Sequence, residues 1–350
     1  MAHGESSATL KVEHTQMFRE AAGASQAVLT QSEHQIQFDA LGAIIRSLNP
    51  RLVITCARGS SDHAATYAKY LIETRARVIT ASAAPSVSSV YGIDQDLRGC
   101  LFLAISQSGR SPDLLASVAA AKSSGATVVA LCNSPDAPLM AAAHHAVLLN
   151  AGPESSVAAT KSYLATLAAL ARLVAAWTGD AALTIALEAL PALMERAWAL
   201  DWSAAVALLE SVEHLYVVGR GLGLGAAQEI ALKCKETCHL HAEGFSSAEL
   251  RHGPFTLLGP KFPALLLAQS DAAGAGVNAL AAELASRQVP VLLASAGAYG
   301  PRTLPVIDCT AELGPILLVQ SAYRMIATLA VRRGLDPDRP PHLSKVTETL

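Results

Sequence analysis

The sequence has few charged residues and few aromatic residues, and neither sign of charge dominates. Charged residues make up 16% of the 350 positions, aromatic residues make up 5%, and the formal net charge is −3. A surface without a strong positive field is not suited to binding nucleic acid or an anionic membrane. We therefore expect neither of these as a partner.

Membrane and secretion signals are also lacking. The first six residues have neither the basic start nor the apolar run of a signal peptide, and the apolar stretch 163–177 is short for a membrane span and contains Arg172. No two of the six cysteines form a CxxC pair. We expect reduced, buried cysteines in a cytoplasmic protein.

Signals for a metal or a dinucleotide cofactor are weak. Cys234, Cys238 and His239 could hold a metal, but packing is the stronger interpretation of these residues. The glycines at 219–225 do not have the GxGxxG spacing of a dinucleotide-binding turn. Such a site also needs a second strand that ends in an acidic residue about twenty positions further on, where we expect helix instead. The sequence therefore predicts no metal and no cofactor.

Strand-like apolar segments alternate with helical patterns, over a length sufficient for two domains. The predicted strands lie at 51–57, 78–81, 101–105, 127–131 and 145–149, then at 214–219, 262–268, 289–294 and 304–309. This alternation predicts an α/β fold with parallel sheets flanked by helices. Both halves open with a strand, Arg-Gly and a helix, so we predict a duplicated α/β unit.

The chain divides into four expected segments. A helical segment at 1–48 precedes a phosphate-binding domain at 49–180, and a second domain follows at 195–334. The tail at 335–350 is rich in proline at its start, which excludes helix there. Tails of this kind are usually frayed.

A serine-rich turn follows the apolar segment 100–105. It runs from Ser106 to Ser111 and precedes Pro112, which suits the first helical position, while Ser111 can cap the helix. Its hydroxyls and the free N–H groups of a helix start favour a phosphate. The turn has no lysine, so it is not a nucleotide P-loop. An ordinary capped helix would show the same turn, so the turn alone does not decide the function.

Five segments in order resemble the sugar isomerase (SIS) family of phosphosugar-binding proteins. They lie at 58–61, 106–111, 151–161, 232–254 and 340–347. Within this family the chain looks like the isomerase half of glucosamine-6-phosphate synthase and the related glucosamine-6-phosphate deaminases. The resemblance implies two flavodoxin-like domains with five-stranded parallel sheets, an N-terminal helix, a catalytic C-terminal tail and usually a homodimer.

The resemblance also implies roles for individual residues. Glu236 would transfer the proton, with Lys233 beside it. His252 would open the ring of the sugar that is bound in the neighbouring subunit. Lys345 would form a Schiff base with the ketose. Val157 and Ser344 would contact the sugar through their backbones. The remaining substrate-binding residues, mainly at the phosphate, would be Ser60, Ser61, Ser106, Gln107, Ser108 and Ser111.

Elementary chemistry sets conditions on three of these roles. Lys233 and Glu236 lie three apart and share a helix face, but an exposed ion pair has the same spacing. A lone histidine such as His252 is more often structural, although histidine as a residue type is suited to the proton transfer that opens the ring. A lysine forms an imine only as the neutral amine, so Lys345 requires the tail to fold over the site.

The expected reaction is conversion of glucosamine 6-phosphate to fructose 6-phosphate and ammonia. We find no segment long enough for the glutaminase of the synthase, and ammonia release needs only water. Ala159 and Arg110 replace the serine and glutamate usual in the synthase, which leaves the amino sugar open. The alternatives are a synthase-like aminating enzyme, a fructosamine-6-phosphate deglycase or, in another class, a non-catalytic phosphosugar sensor.

Overall fold

The chain forms two parallel β-sheets of five strands each. The structure, a computed structural model, describes residues 10–297 and 300–345. The first sheet contains β1 (Leu52–Cys56), β2 (Thr80–Ser82), β3 (Cys100–Ser106), β4 (Thr127–Cys132) and β5 (His145–Leu148). The second contains β6 (His214–Gly219), β7 (His241–Ser246), β8 (Ala264–Ala268), β9 (Val291–Ser295) and β10 (Thr303–Leu304).

The two sheets have the same topology. The first has the order β2-β1-β3-β4-β5, and the second has the order β10-β9-β8-β6-β7. When strands are counted from the start of each half, both orders are 2-1-3-4-5, which is the flavodoxin-like arrangement. The prediction of a duplicated, parallel α/β unit is therefore confirmed.

Helices cover both faces of each sheet. In the first half they are α1 (Gln16–Ala22), α2 (Ala24–Ser32), α3 (Gln35–Leu48), α4 (Ser60–Arg75), α5 (Pro85–Ser89), α6 (Pro112–Ser123) and α7 (Pro138–Ala142). They continue as α8 (Lys161–Thr178), α9 (Ala181–Ala199), α10 (Ser203–Leu209), α11 (Gly223–Cys238), α12 (Gly274–Ser286) and α13 (Gly314–Arg332). The segment before β1 therefore forms three helices, where the resemblance implied one.

One prediction of secondary structure is wrong. The chain after α11 was expected to stay helical, but His239 has φ of +50° and ends the helix, and β7 follows. β7 pairs with β6 at the edge of the sheet and contains the half-exposed Glu243. Its polar sequence is compatible with an edge strand, because one side is not buried against a neighbour.

The two halves share one core. The largest cluster of buried apolar residues includes side chains from both sheets and from α4, α8, α11 and α13. Among the described residues, α13 is the one helix long and apolar enough to cross a membrane, and it is mostly buried in this core. Cys234 and Cys238 also pack here, and Cys238 Sγ lies 3.5 Å from the Ile326 carbonyl oxygen.

A glycine allows the halves to approach closely. A Cβ at Gly225 of α11 would lie 2.5 Å from the His63 carbonyl oxygen and 3.1 Å from the Tyr67 nitrogen, both in α4. The Gly225 carbonyl also accepts a hydrogen bond of 3.3 Å from the Tyr163 hydroxyl. Part of the glycine run at 219–225 therefore serves helix packing between the halves.

We predict that Gly225→Ala lowers the free energy of unfolding by about 1–3 kcal/mol, because the new methyl group would displace backbone. Gly276→Ala in α12 is the matched control, since a Cβ there meets no atom within 4 Å. The control should raise stability by about 0.5–1 kcal/mol, the usual gain from removing a helical glycine. Urea denaturation measures both changes, and equal effects would contradict the packing role.

Candidate active site

A cleft of about 350 Å³ opens at the carboxyl ends of β1 and β3, which is the switch point of the first sheet. Eleven of the twelve candidate residues line it: Ser60, Ser61, Ser106, Gln107, Ser108, Ser111, Val157, Lys233, Glu236, Ser344 and Lys345. Arg58, Gly59, Ile105, Leu114, Ala159 and Leu343 complete the lining. His252 is absent from it. Residues far apart in sequence therefore converge on one concave site.

Gly109 fixes the backbone conformation of the serine turn. Gly109 has φ of +64°, and a Cβ there would lie 2.6 Å from the Ala137 Cβ. The Gly109 N–H donates to Ser106 Oγ at 2.9 Å. Ser111 sits at the N-cap of α6, but its side chain makes no capping hydrogen bond, contrary to the expectation. The Ser111 hydroxyl is therefore available to the cleft.

A second helix start faces the same cleft. Gly59 has φ of +55° and precedes α4, whose first residues are Ser60 and Ser61. α4 and α6 thus begin at neighbouring strand ends, with hydroxyls at both starts. Free N–H groups and helix dipoles make such a place favourable for an anion.

Lys233 lies in a buried charged network rather than in an exposed ion pair. Its side chain is 1% exposed, and Nζ lies 2.5 Å from Glu236 Oε2 and 3.6 Å from Glu229 Oε1. Burial alone would lower the pKa of Lys233, but Glu229 and Glu236 outweigh it and raise this pKa. Lys233 is therefore a stable cation beside the partly exposed Glu236.

Glu229 connects this network to both halves of the protein. It is fully buried, and its carboxylate contacts His63 Nδ1 of α4 at 3.0 Å and accepts a bond of 2.8 Å from the Tyr323 hydroxyl of α13. Burial favours the neutral acid, yet Lys233, His63 and Tyr323 together lower the pKa of Glu229. Sequence reasoning missed Glu229, although its position one turn before Lys233 on an apolar helix was a usable signal.

The described part of the tail, residues 335–345, packs against the protein. The Asp338 carboxylate accepts bonds of 2.6 and 2.8 Å from the backbone N–H groups of Gln16 and Met17 at the start of α1. Seven residues further on, Lys345 Nζ donates to the Ser156 carbonyl oxygen. Residues 346–350, including two of the tail segment that carried the resemblance, lie outside the described residues.

The surroundings of Lys345 favour its neutral form. Burial lowers the pKa of Lys345, and the charges of Lys233 and Lys161 lower it further, against the opposing carboxylates of Glu154 and Glu20. Glu20 also accepts bonds from the backbone N–H groups of Ser155 and Ser156. Glu20, near the end of α1, therefore fixes the loop that contacts Lys345.

His252 lies on another surface. It follows a short 3-10 turn at Glu249–Arg251 and is exposed. It does not line the cleft of its own chain. Arg110 is likewise exposed and outside the lining, whereas Ala159 is part of it.

The equivalent crevice of the second sheet is filled. A Cβ at Gly223 would lie 2.5 Å from Gln269 Oε1, and one at Gly314 would lie 2.9 Å from Gln269 Nε2. The space beside Gln269 is about 20 Å³, which is room for about one water molecule. The absence of a strand was a wrong ground for rejecting a dinucleotide here, because β7 follows α11.

Fold and cleft together define an α/β protein of two similar halves, with a cleft suited to an anion at the switch point of the first sheet. The SIS domain family model matches residues 48–176 and 208–296, so the chain belongs to the SIS domain family. The resemblance found in the sequence is thereby confirmed.

Curated relatives match most of the chain. Glutamine–fructose-6-phosphate aminotransferase (isomerizing) of Aeropyrum pernix is 33% identical over 315 residues, which cover 84% of this chain and 50% of that protein. The enzyme of the same name from Thermus thermophilus is 33% identical over 321 residues, or 84% and 51%. The chain spans about half the length of these relatives.

Solved structures share the fold. A Silicibacter pomeroyi protein, described as a candidate phosphosugar isomerase, superposes with a TM-score of 0.89 at 38% identity over 93% of this chain and 100% of that one. Glucosamine-6-phosphate deaminase of Thermotoga maritima gives a TM-score of 0.77 at 20% identity over 96% and 100%. The second likeness supports the fold alone.

We predict that Glu229→Gln lowers the free energy of unfolding by about 3–5 kcal/mol, because it leaves the buried Lys233 short of one carboxylate. Glu283→Gln is the control, since Glu283 makes exposed ion pairs with Arg251 and Arg287. The control should change stability by less than about 1 kcal/mol. Urea denaturation of both variants provides the comparison, and a small effect of Glu229→Gln would show that the network is not a structural centre.

Proposed function

We propose that the chain is an isomerising glucosamine-6-phosphate deaminase, which converts glucosamine 6-phosphate and water to fructose 6-phosphate and ammonia. The observation that carries this proposal is the meeting, in one cleft, of the serine turn, the Lys233–Glu236 pair and Lys345. An anion site, a general base and an amine are the groups that this reaction needs.

The phosphate of the substrate would bind at the starts of α4 and α6. Ser61, Ser106, Gln107, Ser108 and Ser111 would supply donors, with Ser60 beside them and backbone contacts from Val157 and Ser344. This arrangement orients the sugar chain toward Glu236 and Lys345, which line the same cleft. Fixed orientation of the substrate supplies part of the catalytic effect.

Glu236 would move the proton between C1 and C2. In the open-chain aldehyde, its carboxylate removes the proton from C2 and returns it to C1, while the C1 oxygen gains a proton and the C2 amine loses one. The aldehyde thereby becomes an alcohol, and the C2 amine becomes an imine. A carboxylate must be ionised to accept a proton. Glu236 Oε2 lies 2.5 Å from Lys233 Nζ, and this contact holds the carboxylate at the cleft.

Lys345 would exchange with the substrate amine at C2. Its neutral amine attacks the imine carbon, ammonia departs, and water then releases the ketose from the lysine imine. The lowered pKa of Lys345 increases the fraction of neutral amine. The contact with the Ser156 carbonyl holds the amine at the cleft.

Ammonia release is the proposed direction because it needs only water, whereas synthesis would depend on free ammonia, which is mostly ammonium at neutral pH. A cytoplasmic location, suited to free cysteines, is part of the proposal.

The test is to supply glucosamine 6-phosphate and measure ammonia and fructose 6-phosphate. Glu236→Gln should bind the substrate normally but lose about 10²–10⁴-fold in turnover, the usual contribution of a general base. Solvent deuterium at C1 of the product should disappear with it. Three other outcomes would contradict the proposal. Synthesis from ammonia and fructose 6-phosphate would favour an aminating enzyme, and turnover of a fructosamine phosphate alone would favour a deglycase. Binding without turnover would favour a phosphosugar sensor.

We also propose a homodimer in which His252 opens the sugar ring in the partner's cleft. The exposed position of His252, outside its own cleft, supports this arrangement. An equal mixture of inactive Glu236→Gln and His252→Ala chains should regain about a quarter of the wild-type activity if subunits mix at random, because about half of the dimers are mixed and each of these has one intact site. Dimers shown to mix without recovery would mean that both residues act within one chain.

A further inference from the structure

Arg58 is a cation at the phosphate end of the cleft to which no role has been assigned above. It follows β1 and precedes Gly59, and its side chain is 53% exposed although it lines the cleft. In the sequence it begins the segment 58–61, one of the five segments that resemble the SIS family. The position of its guanidinium group is set by a buried partner.

That partner is Asp113 in the first turn of α6. Arg58 Nε and Nη2 lie 2.8 and 2.7 Å from Asp113 Oδ2, and the Asp113 side chain is 1% exposed. Asp113 Oδ1 accepts a bond of 2.8 Å from the Leu114 N–H. The carboxylate therefore fixes one edge of the guanidinium group at the helix start that follows the serine turn.

The other edge of the guanidinium group is free. Arg58 Nη1 makes no hydrogen bond to another residue that the structure describes. The other basic side chains that line the cleft already have partners: Lys233 contacts two carboxylates, and Lys345 donates to the Ser156 carbonyl. Among the described residues of the cleft, Arg58 is thus a cation with an unused donor group near the hydroxyls of the turn.

We propose that Arg58 binds the phosphate directly and makes the cleft selective for a doubly charged phosphate ester over a singly charged anion. Neutral hydroxyls recognise both kinds of anion, whereas a fixed guanidinium group gains more from the second charge. The inference rests on the proposed function, because it takes this cleft to be the phosphate site.

Binding of two non-reacting ligands tests the proposal without turnover. Glucitol 6-phosphate is largely a dianion at pH 7.5, because the second pKa of a phosphate ester is about 6. Glucitol 6-sulfate is a monoanion of similar shape. Calorimetry on the wild type should show the phosphate binding at least about tenfold more tightly than the sulfate, in keeping with a charge-assisted hydrogen bond.

Arg58→Gln should weaken binding of the phosphate about tenfold and that of the sulfate about threefold, so that the preference for the dianion falls. Arg98→Gln is the control, because Arg98 also pairs with an aspartate, Asp96 at 2.7 Å, but on the exposed surface. Arg98 precedes β3, at the opposite end of the strand from the cleft. The control should leave both affinities unchanged.

A double variant separates direct contact from simple neutralisation of Asp113. If Arg58 only cancels the charge of Asp113, Arg58→Gln with Asp113→Asn should restore wild-type affinity. If Arg58 contacts the phosphate, affinity should stay about tenfold weaker. Arg58→Lys keeps the positive charge, so its affinity for the phosphate should lie between the wild-type affinity and the tenfold weaker one. This variant serves as the test if Arg58→Gln does not fold.

The outcomes distinguish this inference from the proposed function. A wild type that binds neither ligand would overturn the phosphate site and with it both proposals. A wild type that binds both ligands equally, or a double variant with restored affinity, would overturn the role of Arg58 alone.

Discussion

An ammonium group with almost no access to water is retained in a fold only when carboxylates around it replace its hydration. Lys233 is such a group, and Glu229 and Glu236 are its carboxylates. Glu229 in turn contacts α4 from the first half and α13 from the second. The position of α11 is therefore fixed electrostatically where the halves meet, and Glu236 is carried into the cleft by that constraint.

The rest of the site is arranged around this fixed helix. The glycine at 225 lets α11 approach α4 closely, and the helix starts of α4 and α6 face the same cleft. The tail is attached at Asp338 to α1, and α1 through Glu20 holds the loop that contacts Lys345. Glu236, the two helix starts and Lys345 thus come from three separate parts of the chain, and each is tied to the shared core.

What could be predicted from the sequence depended on how local each signal was. The serine turn is a strand end followed by a helix start, so Ser106 and its neighbours were placed without tertiary information. β7 was missed because an edge strand need not be apolar. Glu229 was missed because its role depends on His63 and Tyr323, far away in sequence. The tail was expected to fray, since composition does not reveal that the Asp338 carboxylate has backbone partners in α1.

The filled crevice around Gln269 has a consequence for the symmetry of the molecule. Two units of the same topology could each have kept a ligand site, yet in the second unit glycine contacts close around one amide side chain. That unit instead supplies Lys233 and Glu236 from the side of α11 that borders the cleft of the first unit. The halves are consequently complementary and not interchangeable: a protein made of two copies of the first half would have two serine turns and no counterpart of Glu236.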